Sequence, residues 1–229
     1  MNRVPDLSTV ERIQAQHAPD PVAATDGTVV GASPEIAAIV KSIDSVFSSQ
    51  IDLRDKLAAR LQTEGYRVMV NRDFGKAKVD IWAEQGDARL AVEVRYKTAL
   101  LKTIFNGSHI HLKNQSAQDI SRYDFLKDIA KLESIVLQRP GTKGYAVLIT
   151  NDRNYWQKPA RMSPVDEDFR IHQGRIIQGQ LSWNNASGGT TENREETIGL
   201  QGQYLLNWEP YMTLGTGKNE FFQMLIVEV

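Results

Sequence analysis

Residues 144–150, Gly-Tyr-Ala-Val-Leu-Ile-Thr, form an apolar run with no polar alternation. A strand covered on one face alternates apolar and polar side chains; a strand covered on both faces does not. Such a strand sits inside a sheet with layers packed on either side, so the run calls for an α/β fold. With 229 residues, 41% of them hydrophobic, there is enough chain to build that core unaided. Cysteine is absent, which excludes a disulfide framework and any Cys-ligated zinc. No apolar run approaches the ~20 residues of a membrane helix. The first residues lack the apolar stretch of a signal peptide, so the expectation is a cytoplasmic protein with no membrane partner.

The elements around this run follow from periodicity. Residues 1–34 show no sustained period and read as a flexible lead-in. Ser33-Pro34-Glu35 then resembles a helix start, and an apolar stripe from Ile36 to Leu61 predicts one long or two consecutive helices over 35–64, stopped by Gly65. Three alternating runs predict strands over 66–74, 78–84 and 89–98. Asn106-Gly107 marks a hairpin. Ser116-Ala117-Gln118-Asp119 reads as a capping pattern that opens a helix to about Leu137. After residue 154 the pattern turns to short β-like runs, including Phe-Phe-Gln-Met-Leu-Ile-Val-Glu-Val at 221–229. The expected organisation is therefore a lead-in over 1–34, an α/β core over 35–154 and a β-rich extension over 155–229, packed on the core or on a partner.

Charge is unevenly spread. Residues 1–51 carry −3, residues 52–162 carry +7 and residues 163–229 carry −5. A basic centre between acidic ends suits a polyanionic partner, and it equally suits solvated helix faces.

The chemistry concentrates in two predicted strands. Residues two apart share a strand face, so Glu93, Arg95 and Lys97 line one face while Val92, Val94 and Tyr96 line the other. Asp80 interrupts its own strand in the same way, between Val79 and Ile81. If these strands form a hairpin, Asp80 meets Glu93. Two adjoining carboxylates repel each other unless a cation lies between them, and hard oxygen donors suit Mg²⁺ or Mn²⁺. The same residues also suit a salt-bridged, solvent-facing sheet. A first helix packed over this face would make unpaired charges there costly. Tyr155, Trp156, Trp183 and Trp208 suit base stacking or core packing.

An Asp, a spacing of twelve residues, then Glu-X-Arg within helix, three strands, helix and strand resembles the PD-(D/E)XK nuclease superfamily. The run Ser-Ala-Gln-Asp-Ile-Ser-Arg-Tyr-Asp-Phe-Leu-Lys-Asp-Ile looks similar to a bacterial group of it. The resemblance covers about residues 45–150. It implies a restriction-endonuclease-like αβββαβ core, a mixed central sheet flanked by helices, and Mg²⁺- or Mn²⁺-dependent hydrolysis of phosphodiester bonds in DNA, with RNA as the other polyanion of that class. It implies that Asp80, Glu93 and the carbonyl of Val94 hold the metal, joined by an acid of the first helix: Asp52, Asp55 or Glu64. Glu64 is favoured because it lies at the helix end nearest the strands. Arg95 stands where the superfamily has Lys. Arg stays protonated at working pH, so it grips phosphate without acting as a base, and Lys97 on the same face becomes the partner of the attacking water. Gln118 and Arg122 are the implied nucleic-acid contacts. Two other outcomes are carried forward: a catalytically inactive nuclease-fold DNA-binding or accessory subunit, and a homodimer formed through the tail.

Overall fold

The computed structural model describes residues 34–75, 77–159 and 164–229. The lead-in expected over 1–34 lies outside them except for Pro34, the first residue of α1 (Pro34–Lys41). The apolar stripe over 35–64 resolves into two helices, α1 and α2 (Gln50–Thr63). They are separated by Asp44 in the left-handed region, with φ of 42°. Ser49 caps α2 by accepting the Asp52 N–H, and the Asp52 carboxylate takes the Ser48 N–H at 2.8 Å in return. Gly65 follows with φ of 90°, the conformation that made it a stop signal.

Next come β1 (Arg67–Asp73), β2 (Lys78–Gln85), β3 (Ala88–Lys97), the hairpin β4 (Leu101–Phe105) and β5 (Ser108–Leu112), α3 (Gln118–Gln138) and β6 (Thr142–Thr150). Asn106 and Gly107 both adopt positive φ at the hairpin tip, as the dipeptide demands. The capping pattern before α3 does not cap: Ala117 is the N-cap, without a side-chain bond, and Asp119 instead accepts the Ile120 N–H. The tail supplies β7 (Ile176–Leu181), a single-turn α4 (Gly188–Thr191), β8 (Ile198–Leu205), β9 (Trp208–Thr213) and β10 (Phe221–Glu228).

The architecture is α/β, with a mixed six-stranded central sheet in the order β1-β2-β3-β6-β10-β9. β3 and β6 run parallel through the α3 crossover, and the other neighbours are antiparallel. This corrects the expected division of the chain. The tail is not wholly an extension, because β10 and β9 complete the central sheet beside β6. The physical reason is in the 221–229 run, which is as apolar as 144–150 and needs the same two-sided burial.

Two cores form, one on each face. On one face α1, α2 and Phe47 pack on Val92, Val94, Tyr96, Val147 and Ile149. On the other, α3 and the β7–β8 hairpin pack on Trp82, Ala91, Ala146, Leu148 and Leu225. Close approach of α3 to β6 depends on Gly144, where a Cβ would meet Leu132, Val136 and Val229 at 3.2 Å each. Among the described residues, no helix is long and apolar enough to cross a membrane.

Candidate active site

Alternation along β3 puts Leu90, Val92, Val94 and Tyr96 into the α1–α2 core. Glu93, Arg95 and Lys97 therefore face α3. This corrects the expectation that the first helix covers the charged face: α2 lies on the opposite side of the sheet. It also removes the first-helix acids from the site. Glu64 pairs with Arg60 at 2.7 Å, and its carbonyl accepts a bond from Gln85 at the far end of β2 from Asp80. Asp52 is spent on Ser48 and Lys56, and Asp55 pairs with Arg54.

β2 and β3 pair from Ile81 to Gln85, while Lys78 and Val79 pair with β1 alone. Where the ladder stops, two side chains take its place. Asp80 Oδ2 accepts the Val94 N–H at 3.0 Å, and Glu93 Oε1 lies 3.4 Å from the Asp80 nitrogen. Each carboxylate is thus anchored on the other's strand. The Val94 N–H orients Asp80 at this end of the ladder.

α3 supplies the opposite wall, with residues that periodicity did not single out. Lys131 Nζ lies 2.7 Å from Glu93 Oε1 and 3.6 Å from Asp128 Oδ1, and donates to the Lys78 carbonyl at 3.1 Å. Arg95 is gripped from the same helix: its Nε is 2.6 Å from Asp128 Oδ2, and Nη1 is 3.5 Å from Asp124 Oδ2. The tail contributes Arg194, which meets both oxygens of Asp124 at 2.7 and 3.1 Å. Lys97 is half-buried, with no carboxylate in salt-bridge distance among the described residues.

Electrostatics follow from this arrangement. Glu93 is 5% exposed. Burial, then the Asp128 carboxylate, raise its pKa; Lys131 works against them and Asp80 with them, and the balance is pushed up to about 8. Lys97 moves down through burial and the Arg95 guanidinium, partly offset by Asp124. Burial opposes the charge on Arg95, but the Asp128 bond and the Asp128 and Asp124 charges win, and its pKa rises. Glu93 therefore links stability to pH. Its folded-state value lies above the ordinary 4.5, so the folded protein binds the proton more tightly. That contribution is complete below the ordinary value and is lost as pH rises through about 8. The melting temperature of the metal-free protein is expected to fall between pH 5 and pH 8, and Glu93→Gln is expected to flatten the dependence. Calorimetric scans of both proteins across that range check it.

Among the described residues no three His, Cys, Asp or Glu side chains are grouped for a metal. Two carboxylates remain, Asp80 and Glu93. They fit Mg²⁺, which takes one or two carboxylates and keeps several waters, in preference to a metal that needs a full protein cage. The Lys131 ammonium stands on Glu93 at 2.7 Å.

The residues expected to touch nucleic acid are bonded within the chain. Arg122 is 2% exposed; it pairs with Asp166 at 2.7 Å and donates to the Asn154 carbonyl at 2.7 Å. Asp166 also holds Arg170, so the pair ties α3 to the tail. Gln118 donates to Asp152 at 2.8 Å. Neither Gln118 nor Arg122 is brought to the carboxylates. Tyr155 and Trp208 are buried, and Trp156 and Trp183 pack on the same core.

A cleft of ≈ 840 Å³ opens beside these groups along α3, lined by Arg95, Asp124, Asp128, Lys131 and, further on, Phe74 and Arg139. Asp80 and Glu93 lie behind Arg95 and Lys131 and do not line it. Comparison with protein-family models, with curated proteins and with solved structures returns no match for this chain.

Proposed function

We propose that the chain is a metal-dependent nuclease of the PD-(D/E)XK kind, hydrolysing phosphodiester bonds in DNA. The observation that carries this reading is the parting of β2 and β3 at Asp80 and Glu93, with Lys131 on Glu93 and Arg95 held beside it by Asp128. An α/β core with strands in the order β1-β2-β3-β6 and α3 as the crossover accords with the restriction-endonuclease-like arrangement. Mg²⁺ or Mn²⁺, when bound, polarises a phosphoryl oxygen and favours hydroxide over water.

The remaining work falls to the chain's own groups. Asp80 is oriented by the Val94 N–H, so its second oxygen is free to face the cation. Lys131 stands between Glu93 and the cleft, in reach of an entering phosphate. Lys97, unpaired and with its proton loosened by burial, is the group to exchange a proton with the attacking water. Arg95 stays charged and stabilises negative charge that develops on the phosphate.

A second reading has its own observation. Arg95 is committed to Asp128 and Asp124, which gives a self-neutralised network suited to a binding scaffold that does not cut. Incubation of the full chain with supercoiled plasmid separates the two. The nuclease reading expects nicked and linear products with Mg²⁺ and none with EDTA. Salt-dependent DNA affinity with no metal-stimulated cleavage would establish the scaffold instead.

A further inference from the structure

We propose that the α3 cleft binds single-stranded DNA, which makes a single strand or a single-stranded tail, in place of intact duplex, the substrate class of the site. The inference takes its chemistry from the nuclease reading, but its binding claim stands separately.

The first support is depth. Glu93 is 5% exposed and is reached past Lys131, whose side chain is itself only 27% exposed. A duplex is stiff over roughly 50 nm and carries its phosphates on a rigid rod. A flexible single strand can enter the cleft and bring one phosphate down to the floor.

The second support is the far end of the cleft. Arg139 lies over the Phe74 ring at 4.1 Å, Arg72 lies 5.3 Å from the same ring, and Trp82 meets it edge-on at 4.9 Å. Phe74 and Arg139 both line the cleft. The guanidinium plane that covers this ring is a surface on which any base can stack, which is how single strands are held without sequence readout.

The third support is spacing. Lys131 and Arg139 are eight residues apart on or just beyond α3, about 12 Å at the helical rise. A stacked strand advances about 3.4 Å per nucleotide, so three or four nucleotides link the platform to the carboxylates.

The test is fluorescence anisotropy of the full chain with a labelled single-stranded oligonucleotide and with the same sequence as duplex, in EDTA so that nothing is cut. The single strand is expected to bind at least about tenfold more tightly. Phe74→Leu, which keeps apolar packing on Trp82, and Arg139→Gln are each expected to weaken single-strand binding roughly five- to a hundredfold. Duplex affinity is expected to stay within about twofold. Equal or tighter binding of duplex, or single-strand affinity unchanged in both variants, would overturn the proposal. A chain that prefers single strands yet leaves them uncut with Mg²⁺ would retain this inference and end the nuclease reading. A chain that cuts but prefers duplex would do the reverse.

Discussion

Asp80→Asn is expected to lower Mg²⁺-dependent DNA cleavage by on the order of a thousandfold or more, with the fold intact. The argument starts from what the side chain does. One oxygen accepts the Val94 N–H at 3.0 Å, where β2 and β3 separate. Asn keeps an acceptor there, so no buried N–H is stranded and the strand ends hold their positions. The change removes the negative charge on which cation binding depends. A bound metal supplies several kcal/mol of transition-state stabilisation, and each 1.36 kcal/mol is tenfold in rate. Asp80 sits half-buried and opposite Glu93, so no other carboxylate on β2 can replace it. Nicking rates for wild type and variant, beside matched circular dichroism spectra, check the expectation. An undiminished rate in the variant would remove Asp80 from the chemistry.

Arg122→Ala is expected to damage the fold instead. Arg122 is 2% exposed and shares the Asp166 carboxylate with Arg170, each bond at 2.7 Å. Burial and the nearby Arg170 already lower its pKa, so the ion pair is held under electrostatic load. Breaking a buried pair by removing one partner costs about 3–5 kcal/mol, because the remaining charge stays buried. Arg170 offsets part of that by retaining Asp166, which puts the expectation near the lower figure. For a chain of this size the melting temperature is expected to drop on the order of 10 °C. Had Arg122 been a DNA contact, the variant would melt normally and lose affinity. Thermal scans with binding measurements separate these outcomes.

The sheet was the most legible part of the chain because a strand has a period of two. Glu93, Arg95 and Lys97 stand on one face of β3 with Val92, Val94 and Tyr96 on the other, as the alternation required. Asp80 opposite Glu93 followed from the same arithmetic. Periodicity separates the faces of a strand but does not say which helix covers each. Periodicity thus leaves open which helix covers the charged face, and the acids that the family resemblance implies, Glu64, Asp52 and Asp55, belong to the helix of the opposite face. Once α3 is known to cover that face, Asp124, Asp128 and Lys131 come to hand. They sit at i, i+4 and i+7, a helical stripe beside the apolar one of Tyr123, Leu126 and Ile129. That spacing was visible in the chain, but a charged stripe is also what a solvated helix face shows.

The tail was misread for a different reason. Residues 221–229 are mostly apolar like 144–150, interrupted by Gln223 and Glu228, and the same argument places both strands inside the sheet. The polar and Gly-rich loops around them outweighed that signal. Only the docking of the tail on α3 carries Arg194 to Asp124.

The claim on which the rest depends is that Asp80 and Glu93 jointly bind one divalent cation. Titration calorimetry of Mn²⁺ into wild type, Asp80→Asn and Glu93→Gln tests it at pH 8, where about half of Glu93 is ionised given a pKa of about 8. The expected result is one saturable site in the wild type and none in either variant. Identical heats in all three proteins would contradict the account.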